Sequence, residues 1–249
     1  MKRIALDICY DGTTFAGWQK QPNAVAVQQV LDEAMSTILR NPLSSMGAGR
    51  TDAGVHASQL IVHVDVPEPL PQNFLWSLNG ILPDTIGVKQ IYSNVGPDFH
   101  ARFDAVSRAY EYHIVLEKSP LLRQHALWIR QDLDIKKMQE AANSLLHFKD
   151  FATFCKAHGN QGTTLCDLMR AEWEIDGAHL VFHVKANRFL RGMVRAMVGT
   201  LLEVGNGKRS LESLKQALRA RDRVKAGANV APHGLVLTEV NYPNGTLVN

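Results

Sequence analysis

The first hundred residues alternate between two hydrophobic periods, and each period predicts a type of element. Apolar residues two positions apart predict strands, whereas apolar residues three and four apart predict helices with one buried face. We therefore expect strands over 3–10, 60–66 and 86–92, and helices over 27–39 and 74–82. The first helix should end at Asn41-Pro42, because proline cannot continue a helix.

The second half of the chain repeats the order of strand, helix and strand. We expect a strand over 106–114, a hairpin of strands 168–175 and 180–185 around Asp176-Gly177, helices capped by Asp134 and Ser210, a helix over 187–202, and a last strand that ends the segment 231–237. No tract rich in proline, glycine or serine separates the halves. This order predicts two related α/β halves, over 1–104 and 105–249.

A glycine-rich loop over 47–57 precedes the second predicted strand. Three glycines within eight residues allow positive φ angles and let a ligand or another segment approach the backbone closely. The loop lacks the Gly-Lys-Ser/Thr ending of a phosphate-binding loop, and its glycines do not fit the dinucleotide fingerprint. A metal site at Asp52 and His56 would need further ligands, and the flanks offer only His63.

Asp52 and the nearby Arg50 are the candidates for chemistry that remain in this loop. An aspartate in a glycine-rich loop is most often a turn former that bonds to its own backbone. Alternatively, a guanidinium close to a carboxyl group lowers the pKa of that group and keeps it ionised. An ionised, positioned aspartate can act as a nucleophile or as a base.

Composition and charge favour a globular protein of a reducing compartment. The chain has 249 residues, 45% of them hydrophobic and 20% charged, with a net charge of +3. Its three cysteines are scattered, without a Cys-x-x-Cys spacing, which argues against a disulfide framework or a zinc knuckle and suits the cytoplasm. Asp7 interrupts the first apolar segment, so we expect no signal peptide, and no apolar run approaches membrane-spanning length.

Two segments of the second half are candidates for an RNA surface. The period of a strand puts Arg108, Tyr110 and Tyr112 on one face, where they could form a platform for a stacked base or simply pack in a half-buried strand. Within the predicted helix over 187–202, the spacing puts three arginines on one face. Without an acid among them, they suit an anionic ligand better than bulk solvent. A further basic cluster at 219–225 fits a phosphate backbone or a solvated surface.

The loop segment Gly49-Arg50-Thr51-Asp52-Ala53-Gly54-Val55-His56-Ala57 closely resembles the signature of the TruA-type tRNA pseudouridine synthases. Further motifs of this family are matched in the expected order along nearly the whole chain. They lie at 10–19, 101–112, 150–154, 187–202 and 231–237.

The resemblance implies both a fold and an activity. The fold is the α+β pseudouridine-synthase fold, in which two related ferredoxin-like halves join their antiparallel sheets around a central cleft. The activity is the isomerisation of uridine to pseudouridine at positions 38, 39 and 40 of the tRNA anticodon stem-loop. The family implies a homodimer in which each tRNA touches both subunits. It also implies a reaction that needs no metal and no cofactor.

The resemblance also implies a role for each site residue. Asp52 is the catalytic residue, and Arg195 supplies the cation that pairs with it. Tyr110 stacks on the target uracil, and Leu235 packs beside the base. Arg50 holds the loop or a flipped-out nucleotide.

Other basic residues are expected to contact the RNA backbone. These are Arg188, Arg191 and Lys156, the last within a basic loop that also contains Lys149 and His158. Contacts of this kind recognise the shape of an RNA more than its sequence.

Two alternative functions remain open at this point. One is an RNA-binding protein of the same fold without chemistry, against which the presence of Asp52, Tyr110 and Arg195 argues. The other is a carboxylate-dependent hydrolase. Retaining glycosidases need two carboxyl groups about 5–5.5 Å apart, and no second acid accompanies Asp52 in its loop.

Overall fold

The computed structural model describes residues 1–156 and 162–248. They form two compact units, one of Met1–Ser107 with Val236–Asn249 and one of Arg108–Leu235. The predicted division placed everything after residue 104 in the second half, whereas the structure groups the last strand with the first unit. The segment after Leu235 is grouped with the first unit because it pairs there, with His56 opposite Val236 and Ala57 opposite Leu237.

The first unit contains two helices and four strands before the chain leaves it. They are β1 (Lys2–Tyr10), α1 (Val27–Leu39), β2 (Met46–Gly47), β3 (His56–Val66), α2 (Phe74–Ile81) and β4 (Ile86–Tyr92). The predicted elements are therefore present, although β3 begins four residues earlier than expected. The two-residue strand β2, which pairs with β3, is too short to produce a hydrophobic period.

Strand β1 is the centre of this unit's sheet, between antiparallel β3 and β4. Leu6 lies opposite Val62 on one side and Ile91 on the other. Ala5 and Leu6, which point to opposite faces, are both fully buried. Burial of both faces explains why the alternation of apolar and polar residues in this strand is incomplete.

The second unit contains a hairpin and three helices, and the last strand follows it. The elements are β5 (Ser107–Val115), β6 (Leu127–Trp128), α3 (Ile135–Leu145), β7 (Leu168–Asp176), β8 (His179–Ala186), α4 (Met193–Gly205), α5 (Leu211–Ala220) and β9 (Leu235–Asn241). Strand β8 lies between β5 and β7, and both pairings are antiparallel. The hairpin turns at Gly177, whose φ is +57°.

Both predicted helix caps are confirmed. The carboxylate of Asp134 accepts a hydrogen bond from the Lys137 backbone N–H at 3.0 Å. The hydroxyl of Ser210 accepts one from the Ser213 N–H at 3.1 Å. Each side chain satisfies a donor that the first turn of a helix leaves without a partner.

The predicted helix over 187–202 is wrong in its first six residues. Helix α4 begins at Met193, because Gly192 before it has a left-handed φ of +71° that ends helical geometry on its N-terminal side. Arg188 and Arg191 therefore precede the helix, and of the three arginines only Arg195 lies on it. Because the buried Leu190 fits the apolar spacing of the helix, the hydrophobic pattern did not indicate that α4 begins only at Met193.

The predicted α+β class is confirmed. The described residues form five α-helices and nine strands, most of which pair antiparallel, the pairs β3–β9 and β5–β6 being parallel. None of the helices in this part of the chain is long and apolar enough to cross a membrane.

Gly199 provides a test of how closely α4 packs. A Cβ atom at this position would overlap the carbonyl oxygen of Ala228. Although alanine is the better helix former by about 1 kcal/mol, we expect Gly199→Ala to lower the free energy of unfolding by about 1–3 kcal/mol through overpacking. Thermal unfolding followed by circular dichroism measures the change.

Gly80 in α2 provides the control, since no neighbouring atom lies within 4 Å of a Cβ there. We expect Gly80→Ala to be neutral or stabilising. Equal stabilisation by both substitutions would contradict the packing assigned to Gly199.

Candidate active site

The loop that carries Asp52 connects β2 to β3, and a backbone turn closes it. The Val55 N–H donates to the Asp52 carbonyl oxygen at 3.2 Å, and Gly54 has a φ of +75°. Asp52 itself is half-buried, whereas Thr51 and Val55 on either side are buried. The loop therefore presents one carboxylate from a backbone that is anchored on both flanks.

A second loop, the N-terminal loop over 11–18, supports the Asp52 loop by direct backbone contact. A Cβ on Gly17 would overlap the carbonyl oxygen of Thr51, and a Cβ on Gly12 would overlap that of Val55. The Trp18 N–H donates to the Thr51 carbonyl at 3.2 Å. Two glycines are required here because only they let the two backbones approach this closely.

Buried polar side chains hold the two ends of the Asp52 loop. The hydroxyls of Thr51 and Tyr10 are 2.8 Å apart in a buried hydrogen bond. At the other end, the Gly12 N–H donates to Nδ1 of His56 at 3.0 Å. Thr51 and His56 thus fix the loop around Asp52.

Trp18 secures the N-terminal loop itself. Its side chain is buried, with 1% of its surface exposed. A Cβ on Gly47 would lie only 2.8 Å from the indole ring, so Gly47 is needed for the tryptophan to fit.

Arg50 does not neutralise Asp52 by a salt bridge. Its side chain is exposed, and no described residue forms a hydrogen bond or ion pair with its guanidinium. No contact among the described residues therefore supports the prediction that this neighbouring arginine keeps Asp52 ionised. The position of Arg50 instead leaves the guanidinium accessible to a ligand.

The predicted aromatic platform on β5 is wrong for one of its members. Tyr112 is fully buried, and its hydroxyl donates to the Ala231 carbonyl oxygen at 2.8 Å. Burial also raises the pKa of this phenol. Tyr112 therefore braces the 3₁₀ turn Pro232–Gly234, which precedes the buried Leu235.

Tyr110 is half-buried and is the aromatic residue of this face that a ligand could reach. Its ring meets that of Phe189 edge to face, with the centroids 5.0 Å apart and the planes at 87°. The sequence around Phe189 does not indicate this contact. Arg108 on the same face donates from Nη1 to the Asn187 carbonyl at 2.9 Å.

The segment over 227–230 packs against α4 and holds the Arg195 side chain. The Nε of Arg195 donates to the Val230 carbonyl oxygen at 2.7 Å, and the Val230 N–H donates to the Arg195 carbonyl at 3.2 Å. Arg223 supports the same segment, because it donates to the Gly227 carbonyl and to the Asn229 side chain. At Arg223 the basic cluster over 219–225 thus performs a structural role.

The expected RNA-backbone residues lie near the start of α4. Arg191 and Lys156 are exposed and adjacent, since the Lys156 N–H donates to the Arg191 carbonyl at 3.0 Å, and Arg188 is half-buried. Lys149 is paired with Asp167. His158 lies outside the described residues.

Sequence comparisons relate the chain to proteins of one family. A family model of tRNA pseudouridine synthases matches residues 141–243. The tRNA pseudouridine synthase A of Bacteroides fragilis is 44% identical over 246 residues, which are 98% of this chain and 97% of that protein. The proteins of the same name from Bacteroides thetaiotaomicron and Thermus thermophilus are each 43% identical, covering 98% and 99% of this chain and 91% and 99% of their own.

Gly17 tests the contact between the two loops. An alanine there would need the left-handed φ of +93° and would overlap the Thr51 carbonyl. We expect Gly17→Ala to lower the free energy of unfolding by about 2 kcal/mol, and to speed hydrogen exchange of the Trp18 and Gly54 amides.

Gly49 is the matched control within the same region, because a Cβ there would meet no atom within 4 Å. Gly49→Ala should leave both measurements close to those of the wild type. If the two variants behave alike, the close approach is not what holds the Asp52 loop.

Proposed function

Since the chain belongs to the tRNA pseudouridine synthase A family, whose members isomerise uridine to pseudouridine in tRNA, we propose that it acts at positions 38, 39 and 40 of the anticodon stem-loop. The observation that carries this proposal is the identity of about two residues in five along nearly the whole length of its relatives. The nine-residue signature around Asp52 indicates the same target.

The reaction determines what the site must provide. The N1–C1′ bond of the uridine breaks, the uracil rotates, and a C5–C1′ bond forms, while the C5 proton is released to water and N1 takes up a proton from water. A base inside a stacked stem cannot rotate, so it must first flip into a pocket, which costs a few kcal/mol. Stacking on an aromatic ring, worth about 1–3 kcal/mol per base, offsets this cost.

Asp52 is the proposed catalytic residue. Its carboxylate would either attack C1′ or remove a proton from the sugar to give a glycal, and both routes use one ionised, positioned aspartate. The anchoring of its flanks by Thr51, Val55 and the N-terminal loop supports this role, because catalysis depends on fixed geometry. Neither route needs a metal or a nucleotide cofactor.

Two arginines are proposed to assist Asp52. Arg195 would provide the cation that pairs with the carboxylate, and the hydrogen bond from its Nε to Val230 supports this role by fixing the guanidinium. Arg50 would contact a flipped-out nucleotide. Its exposure and its lack of an ion pair with any described residue support a contact to substrate rather than to the loop.

The base and the backbone of the tRNA would meet different residues. Tyr110 is proposed to stack on the target uracil, and Leu235 to pack beside it. Exposed Arg191 and Lys156, together with Arg188, would contact phosphates without reading sequence.

We further propose that the protein acts as a cytoplasmic homodimer in which each tRNA contacts both subunits. The dimer follows from the family resemblance. The location follows from the tRNA substrate and from the free thiols of Cys9, Cys155 and Cys166, which suit a reducing compartment.

Replacement of Asp52 tests the chemistry. We expect the wild-type protein to release tritium to water from tRNA labelled at uridine C5, and Asp52→Asn to be slower by about 10²-fold or more because the amide can act neither as nucleophile nor as base. Sequencing of the product should place the pseudouridines at positions 38–40.

Filter binding of the same tRNA is the control, since Asp52→Asn should retain affinity. Binding by the wild type without tritium release would favour the alternative of an RNA-binding protein without chemistry. Loss of a base or a strand break would indicate a hydrolase.

Replacement of Tyr110 tests the stacking. We expect Tyr110→Leu to reduce kcat/KM by about 5- to 150-fold, as the loss of one base–aromatic stack predicts, whereas Tyr110→Phe keeps the ring. Single-turnover kinetics on the anticodon stem-loop measure both. If the two variants are equally impaired, the hydroxyl rather than the ring carries the role.

Tyr112→Phe is the matched control two residues away on the same face. It removes the buried hydrogen bond to Ala231, so it should lower stability by about 1–2 kcal/mol and leave the folded enzyme active.

A further inference from the structure

The segment over 98–104, the 98–104 loop, presents an aromatic ring to solvent. Phe103 is 73% exposed, although Phe99 and Ala101 in the same loop are buried. A phenylalanine gains stability by burial, and this ring contributes little of that gain to its own fold. Single exposed apolar residues are normal, so the surroundings of the ring decide whether it serves a ligand.

The first half of the loop is bonded tightly to the first unit. The Ala101 N–H donates to Nδ1 of buried His63 at 3.0 Å, and the Tyr242 hydroxyl donates to the Ala101 carbonyl at 2.6 Å. Arg3 donates to the Phe99 carbonyl at 3.1 Å. Burial lowers the pKa of His63 to about 4, so this imidazole stays neutral and remains an acceptor.

The second half of the loop is bonded around His100. Its Nδ1 accepts the backbone N–H groups of Arg102 and Phe103 at 3.1 and 3.3 Å. The backbone N–H of His100 donates to the Asp104 carboxylate at 2.8 Å. The backbone that carries Phe103 is therefore fixed, and the exposure of the ring is a property of an ordered loop.

The surroundings of the ring suit an aromatic ligand. The His100 ring lies against Phe103 with the centroids 4.2 Å apart, and the guanidinium of Arg102 is 5.7 Å from the Phe103 centroid. A nucleobase placed on the exposed part of the ring would stack on it, and a guanidinium nearby adds a cation for the base to contact.

We propose that Phe103 is a stacking platform for a base of the substrate tRNA other than the target uridine, with Arg102 beside it. The proposal rests on the proposed function, since it takes tRNA as the ligand. Bases of a single-stranded loop are unstacked and accessible, which makes them the chemical group that such a platform would select.

The charges of the loop favour a base over a phosphate. Asp98 and Asp104 are both exposed on this loop and outnumber the exposed Arg102, so the loop as a whole would repel a phosphate group. The π-face of a base carries no net charge, so it can approach the ring without this cost. Stacking also explains why an aromatic residue, rather than a lysine, occupies this exposed position of the loop.

The test compares three variants in an Asp52→Asn background, so that binding is measured without turnover. We expect Phe103→Leu to weaken binding of the anticodon stem-loop RNA by about 5- to 100-fold, and Phe103→Trp to restore wild-type affinity. Trp76→Leu is the matched control, because Trp76 is 77% exposed in the same unit and should be neutral. Unchanged affinity in Phe103→Leu, or equal losses in Phe103→Leu and Trp76→Leu, would overturn the proposal.

Two further measurements separate this proposal from its alternatives. With Asp52 restored, Phe103→Leu should raise KM for tRNA and leave the kcat of saturated enzyme and the melting temperature unchanged, which a purely structural role would not do. A photo-crosslinking amino acid at position 103 should label the RNA. Crosslinking to a second copy of the chain, with dissociation of the dimer in sedimentation experiments on Phe103→Leu, would overturn the proposal in favour of a subunit interface.

Failure of the proposed function remains distinguishable. If wild-type protein modifies tRNA at positions 38–40 and Phe103→Leu binds normally, only the stacking proposal fails. If wild-type protein modifies other positions, the target assignment fails, and the same binding series on the tRNA that it does modify decides the role of Phe103.

Discussion

The contact between two backbones, that of the N-terminal loop and that of the Asp52 loop, is the constraint on which the position of Asp52 depends. Gly12 and Gly17 allow the approach, and hydrogen bonds from Trp18 and to Phe15 close it. Such a contact cannot be made by residues with side chains, so Gly12 and Gly17 are needed to position the loop that carries Asp52. The position of the carboxylate is determined by backbone geometry.

Histidines on strand β3 and in the 98–104 loop serve as fixed acceptors for backbone N–H groups. His56 accepts from Gly12 and His63 from Ala101, while His100 accepts from Arg102 and Phe103. The imidazole of His63 suits this task, because burial lowers its pKa and the neutral ring offers one lone pair in a defined direction. Sequence motifs that predict catalysis or binding thus also contain residues whose role is to hold loops in place.

The family resemblance proposes roles for single residues, and the local geometry shows what holds those residues in place. A resemblance assigns roles to Asp52, Tyr110 and Arg195 but does not say what holds them. The contacts supply that part: Phe189 meets the ring of Tyr110, and Val230 accepts from Arg195. These supporting residues lie far from their partners in sequence or outside any recognisable pattern, so no spacing rule identifies them.

The sequence by itself determined the elements whose periods are long and clear, the caps at Asp134 and Ser210, the α+β class and the family. Tertiary structure decided the rest. It placed the start of α4 after Gly192, because the left-handed φ of this glycine cannot be predicted from the neighbouring sequence. It buried Tyr112 and left Tyr110 half-exposed, because two residues on the same face of a strand can pack against different neighbouring segments. It grouped the last strand with the first unit, because strand pairing over such a separation depends on which edge is available, and local sequence carries no information about that edge.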